Sequence, residues 1–208
     1  MEQIEYTQLP ELFESVAQVM TENAEMLCEM DAVMGDGDLG LTMKKGFCAL
    51  PDLIRAVEEP DAGKRLMKAG MKMTSVVPST MGTLMGSGIM SGGKQLVGRS
   101  SLDGEGLGLF LTGFAEGIIK RGKCAEGDRT VLDAIAPAAR AAAAETSLPA
   151  ASAAALKAAE EGVEATKAML PKFGKAAVHI AKAEGRADQG ATAGMLMIRG
   201  MNNYIQSK

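Results

Sequence analysis

Leu12, Val16, Val19, Met20 and Leu27 recur at the three- and four-residue spacing of one helical face, and the same period returns along most of the chain. It carries a first segment over about 10–30, resumes over 39–58 with Pro51 inside, and continues over 62–77 and 80–97. Leu107, Phe110, Leu111, Phe114 and Ile118 mark a fifth segment ending at "KRGK". A sixth begins near Asp128 or Arg129 with a local kink at Pro137, a seventh covers 152–170, and the last covers 189–205. The breaks are short and carry turn chemistry: "GDGD" at 35–38, "EEPDAGK", Pro78 and "GRSSLDGEG". No stretch reads as a convincing strand. Eight helices with short connections predict an all-α, antiparallel eight-helix bundle or barrel in one domain over 1–208. With aromatics at 3%, no Trp and 16 Met, its core would be Ala, Leu, Met and Val, which suits packed helices. There is no internal repeat, and the Ala-rich part (138–159) reads as helix.

Bulk properties remove several classes of function. A net charge of −4 offers no nucleic-acid footprint. Cys28, Cys48 and Cys124 are odd in number and lack C-x-x-C spacing, so a reducing cytoplasm is expected rather than a disulfide framework. The opening "MEQIEYTQLPELF" has acids where a signal peptide needs bases. The uncharged run from Met73 to Gly93 is Ser, Thr, Gly and Pro rather than Leu and Ile, which argues for a buried small-residue region and against a bilayer span.

The chemistry concentrates in "MDAVMGDGDLGLTMKKGF", where Asp31, Asp36 and Asp38 fall within eight residues around Gly35 and Gly37. Carboxylates this close repel one another unless a cation lies among them. Mg²⁺ takes oxygen ligands and fills its remaining positions with water or phosphate. An EF-hand is excluded: counting from Asp36 puts Leu41 at the required Gly and Phe47 at the required Glu. The plainer reading makes Asp36 and Asp38 turn and N-cap residues of the second helix. The following helix N-terminus favours anions, and Lys44 and Lys45 come one turn later, so the combination points to metal plus phosphate.

"VVPSTMGTLMGSGIMSGG" is the second candidate, with Ser79 and Thr80 as phosphate donors; close helix packing through its small residues explains it equally simply. It is no Walker loop, since Gly88 to Lys94 does not supply the pattern. His179 is the single histidine, which leaves almost no material for His-based metal sites or Ser-His-Asp catalysis. Met34, Met43, Met81 and Met85 serve as core filling or as walls for an adenine. Asp188 in "RADQGA" has both an N-cap and a ligand reading.

Together these segments resemble the nucleotide-binding L subunit of bacterial dihydroxyacetone kinases, over essentially the whole chain. "DAVMGDGDLGLTM" matches the family's D-A-x-x-G-D-G-D-[HT]-G-x-N-M. "GDRTVLDAIAPA" matches G-D-K-T-M-L-D-A-L-x-P-A, and "DQGA" precedes the last helix. The resemblance implies an eight-helix barrel closed at one end and carrying ADP or ATP with two Mg²⁺ at the other. Asp31, Asp36 and Asp38 would be the magnesium ligands. Leu39, Gly40, Leu41 and Thr42, with the turn of Ser79, Thr80, Met81 and Gly82, would hold phosphates. Gly122 and Val131 would line the nucleotide, and Lys175 with Asp188, Gln189 and Gly190 would close over it. No residue of this chain would act as a general base. A separate K-type subunit would hold the keto-sugar, and a phospho-histidine protein of the phosphotransferase system would recharge a resident ADP. The assembly is left open between monomer and homodimer.

The departures are local. Leu39 stands for His or Thr, Thr42 for Asn, Met81 for a phosphate-binding Ser, Lys175 for Arg, Arg186 for His and Gln189 for Pro. They motivate a second reading, a binding or regulatory protein on the same fold without turnover. A third, the nucleotide domain of a fatty-acid kinase, lacks the further domains such chains carry.

Overall fold

The computed structural model describes residues 1–178 and 180–208, except the side chain of Lys175. His179 and the side chain of Lys175 thus lie outside the described residues. Ten α-helices are present among them: α1 (Leu9–Glu22), α2 (Ala24–Ala32), α3 (Leu39–Arg55), α4 (Ala62–Val76), α5 (Thr80–Gln95), α6 (Gly104–Gly122), α7 (Leu132–Ala143), α8 (Leu148–Ala165), the four-residue α9 (Ile180–Ala183) and α10 (Gln189–Gln206). Eight of them form a ring. α1, α3, α4, α5, α6, α7, α8 and α10 each pack on the next, and α10 returns to α1. The class expected from periodicity, an all-α antiparallel barrel, is the one observed.

Where the helices differ from expectation, local chemistry explains it. The first helix is broken at Asn23, whose side-chain amide donates back to the Val19 carbonyl (2.8 Å) and competes with the helical ladder. α7 begins at Leu132 because 123–131 is a loop, turned by positive φ at Lys123, Gly127 and Arg129. α8 stops at Ala165 in a short 3₁₀ turn, and 166–188 then crosses the end of the barrel. A small strand pair also appears, Ile4–Glu5 (β1) against Ser101–Leu102 (β2), antiparallel and too short to show as a period in sequence.

The barrel interior is filled by the apolar stripes, with Phe13, Phe47, Phe110 and Phe114 among the largest fully buried side chains. The Gly-rich α5 explains the uncharged run. A Cβ at Gly88 would lie 2.6 Å from the Phe114 ring and one at Gly92 2.6 Å from the Phe110 carbonyl, so α5 and α6 touch through glycine. An even number of antiparallel helices has a further consequence. The N-termini of α3, α5, α7 and α10 all fall at one end, alternating with the C-termini of α2, α4, α6 and α8. Four positive helix ends therefore surround one mouth. At the opposite end the connections are stitched together: Gly98 N–H donates to Asp61, Ala62 N–H to the Arg99 carbonyl, and Tyr6 N–H to the Ser100 carbonyl.

Candidate functional site

The mouth holds a cleft of two adjoining lobes, about 330 and 670 Å³. The smaller is walled by Asp31, Gly35, Asp36, Asp38, Leu39, Thr42, Met81, Arg129, Ala176, Asp188, Gln189 and Gly190. The larger runs on between Thr74, Pro78, Thr83, Arg121, Gly122 and Cys124. Ser79, Thr80, Leu84, Thr130, Val131, Phe173 and Gly174 belong to both. A drug- or nucleotide-sized ligand fits such a volume.

At the head of α3 one carboxylate oxygen from each of Asp31, Asp36 and Asp38 lies within 4.8 Å of the others. Their roles differ. Asp31, on the last turn of α2 and buried, accepts from the Gly37 amide (2.9 Å) and the Asp38 amide (3.2 Å), and so folds the loop around itself. Gly35 has to be glycine, since a Cβ there would stand 2.2 Å from Asp31 Oδ1. Gly37 takes φ +74°, which glycine adopts without strain. Asp38 occupies the N-cap position of α3, yet its side chain caps no amide. The plainer reading of Asp38 as a helix cap therefore lacks its hydrogen bond, and the carboxylate turns to the cluster instead.

The same test separates the other helix ends. Ser79 Oγ accepts from the Gly82 amide (3.0 Å), and Asp188 Oδ2 accepts from the Ala191 amide (2.8 Å), so both are true N-caps. Thr42 N–H bonds to the Asp38 carbonyl (2.9 Å), and the amides of Leu39, Gly40 and Leu41 precede the first intrahelical bond of α3. Of the four converging ends, α5 and α10 carry a side-chain cap, whereas Asp38 at α3 and Val131 at α7 supply none.

Among the residues singled out in the sequence, Leu39, Thr42, Ser79, Thr80, Met81, Asp188, Gln189 and Gly190 line the smaller lobe with the three aspartates, and Gly122 and Val131 line the larger. Gly40, Leu41 and Gly82 do not line the cleft. Gly40 is pressed against α2, where a Cβ would meet the Ala24 carbonyl at 1.8 Å; Leu41 points outward, 64% exposed; and Gly82 packs on Val77, its amide held by Ser79. Lys44 and Lys45 are exposed on α3 and line neither lobe.

Among the cleft residues that escape a sequence reading are Arg129, Phe173 and Gly174. Arg129, a charged residue that reads as helix start, stands at the cleft with φ +60° and a fully buried side chain. Phe173 and Gly174 arrive on the aperiodic segment after α8. Around Arg129 the loop is rigidly built: Asp133 accepts from the Gly127 and Thr130 amides, and Asp128 accepts from the Ala125 amide and from Lys172 Nζ (2.6 Å). That ammonium, with the amide, holds Asp128's carboxyl below the usual range. Burial acts the other way on Asp188, pushing its carboxyl up to about 6 against the pull of the Ala191 amide and of Arg129, 3.9 Å away. Burial likewise raises the Cys124 thiol, so it stays protonated. Among the described residues the buried Oε1 of Gln189 has no hydrogen-bond partner, a polar atom left for a ligand or water.

Clustered carboxylates at the head of a helix, at the mouth of an α-barrel, form an oxygen-ligand set that could hold a divalent cation. The family follows from comparison: the DAK2 domain profile matches residues 33–203, and the chain belongs to that family. It is 29% identical to the ADP-binding subunit DhaL of the PEP-dependent dihydroxyacetone kinase of Escherichia coli (strain K12), covering 93% of this chain and 94% of that one. It is 31% identical to a D-erythrulose kinase of Mycolicibacterium smegmatis over 90% of this chain and 33% of that protein. The dihydroxyacetone kinase of C. freundii, solved with AMP-PNP and Mg²⁺, shares the fold at TM-score 0.72 and 24% identity, over 95% of this chain and 34% of that one. The chain thus spans the bacterial subunit nearly whole and about a third of the larger kinases. Among the described residues no helix is long and apolar enough to cross a membrane.

Proposed function

We propose that this chain is the nucleotide-bearing subunit of a dihydroxyacetone-kinase-like phosphotransferase. It passes a phosphoryl group from a bound nucleotide to a small keto-sugar held by a separate K-type subunit, and a phospho-histidine protein recharges the ADP that remains. The observation that carries this reading is the convergence of Asp31, Asp36 and Asp38 within 4.8 Å at the uncapped start of α3. The similarity to an ADP-binding subunit along nearly its whole length supports it.

The residues fit the group. The three carboxylates form a hard-oxygen set suited to Mg²⁺, two ions by the family resemblance, and they relieve mutual repulsion by holding it. Such ions supply neutralisation of phosphate charge. The chain itself does the rest. The first amides of α3 bind phosphate oxygens, the amides of Thr80 and Met81 face them across the smaller lobe, and Leu84, Val131 and Phe173 give the base an apolar bed. Asp31 keeps the loop shaped by its two backbone bonds. Phosphoryl transfer asks mainly for position and charge, which the three carboxylates and the helix amides would supply. The erythrulose kinases among the relatives support a keto-sugar acceptor without fixing its length.

A second reading, a nucleotide-binding regulator, is favoured by one feature: Leu39 and Met81, both apolar, stand at the lobe where phosphate would lie. One preparation tests both. The protein purified without added nucleotide is denatured and assayed for released ADP and for Mg²⁺, then supplied with a K-type subunit, dihydroxyacetone and a phosphoryl donor. Bound ADP with transfer supports the kinase role. Bound ADP without transfer selects the regulator. Neither ADP nor Mg-ATP binding, with Asp36→Asn and Asp38→Asn behaving as the parent, rejects the magnesium site.

A further inference from the structure

Between α8 and α10 the chain leaves the barrel at Thr166 and rejoins it at Asp188, delivering Phe173, Gly174 and Ala176 to the cleft on the way. The two ends of this segment meet. Asp188 N–H donates to Thr166 Oγ1 (2.8 Å), and Gly185 N–H to the Lys167 carbonyl (3.2 Å). Arg129 stands at that neck. Its Nε donates to the Thr166 carbonyl (3.2 Å), and one terminal nitrogen donates to the carbonyls of Ala183 (3.3 Å) and Arg186 (3.0 Å). The other lies 3.8 Å from Met34 Sδ, beside the aspartate loop.

A guanidinium with no exposure, facing the Asp188 carboxylate at 3.9 Å, is costly to bury, and main-chain carbonyls offset that cost only while both ends of the segment stay in place. Its backbone takes φ +60°, a conformation uncommon outside glycine, to aim the side chain there. A side chain serving the α7 start alone would not need to reach across to 166, 183 and 186.

We infer that Arg129 is a positioning residue: it fastens the neck of the 166–188 segment, and thereby sets how long a nucleotide is retained in the cleft. The retention half rests on the nucleotide reading proposed above. Lysine cannot replace it, because an ammonium is a compact point donor, whereas the guanidinium fork spans both ends of the neck.

The test uses Arg129→Gly, which removes the fork and suits the positive φ, and Arg129→Lys, which keeps the charge. Hydrogen exchange by mass spectrometry follows the 166–188 segment against peptides from α1 and α4. A stopped-flow chase follows release of a fluorescent ADP analogue in Mg²⁺. In both variants the segment should exchange about tenfold faster or more, with α1 and α4 unchanged, and the analogue should leave about tenfold faster, the scale of a lost charge-assisted hydrogen bond. If Arg129→Gly fails to fold, Arg129→Lys decides. Unchanged exchange in the segment overturns the fastening. Faster exchange with parental release overturns the retention. A parent that binds no ADP analogue overturns the nucleotide reading and the retention with it, while the exchange data still judge the fastening.

Discussion

Urea titrations of the parent and of Asp188→Asn at pH 5 and pH 8, with metal chelated, measure what burying this carboxyl does to the fold. Asp188 is 4% exposed, and burial lifts it from an ordinary 3.8 to about 6. The sign follows from linkage. The folded state holds the proton more tightly than the unfolded one, so the stabilisation is complete below 3.8 and is lost as pH rises through 6. A shift from 3.8 to about 6 corresponds to about 3 kcal/mol in total, of which about 1.4 kcal/mol disappears between pH 5 and pH 8. Asn does not titrate and still caps a helix, so the variant serves as the pH-independent reference for this one site. Every other carboxylate cancels in the difference. Parent stability minus variant stability should fall by about 1.4 kcal/mol on going from pH 5 to pH 8, about half a molar or more in the urea midpoint. A difference that stays flat, or that grows with pH, refutes the reasoning. Growth would mean that the Arg129 guanidinium outweighs burial and that the pair is ionised in the folded protein at both pH values.

Three further outcomes are expected. Gly35→Ala should push the Asp31 carboxylate out of the cluster, since the new methyl would sit 2.2 Å from Oδ1, and should weaken Mg-nucleotide binding by about a hundredfold in calorimetry. Its far-ultraviolet circular dichroism should match the parent. Phe114→Ala opens a cavity beside Gly88 and should cost about 3–5 kcal/mol in chemical denaturation. Asp61→Ala removes the N-cap of α4 and an acceptor for the Gly98 amide together, so a loss of about 2 kcal/mol, more than a simple cap, should appear in the same assay without any change in nucleotide binding.

The barrel was readable because each of its eight long helices presents a continuous apolar stripe, and stripes of helical period with short breaks admit few arrangements. The aspartate loop was readable because its residues are adjacent in sequence. Arg129 was not: its burial and its positive φ come from contacts with residues 34, 166, 183 and 186, far along the chain, and a lone Arg near a helix start looks like a solvated one. The 166–188 segment carries no period because it is held by its ends, by Lys172 on Asp128 and by a small apolar contact of Ala176 and Ala183 with Met34, rather than by a long apolar stripe. Gly40 and Gly82, expected beside phosphate, also mark where helix meets backbone, at the Ala24 and Val77 carbonyls. A glycine that admits a ligand and one that admits another helix look alike in sequence.

The even ring has a consequence for gene architecture. Because α1 begins and α10 ends at the stitched face, with Ile4 paired to Leu102 and Gln206 reaching the Pro149 carbonyl, both termini leave the barrel on the side away from the cleft. Anything fused in frame at either end emerges behind the working surface rather than across it. The domain is in this sense a plug-in unit. It can stand as most of a chain, as in the E. coli subunit, or as a third of one, as in the erythrulose kinases, without its mouth having to be rebuilt.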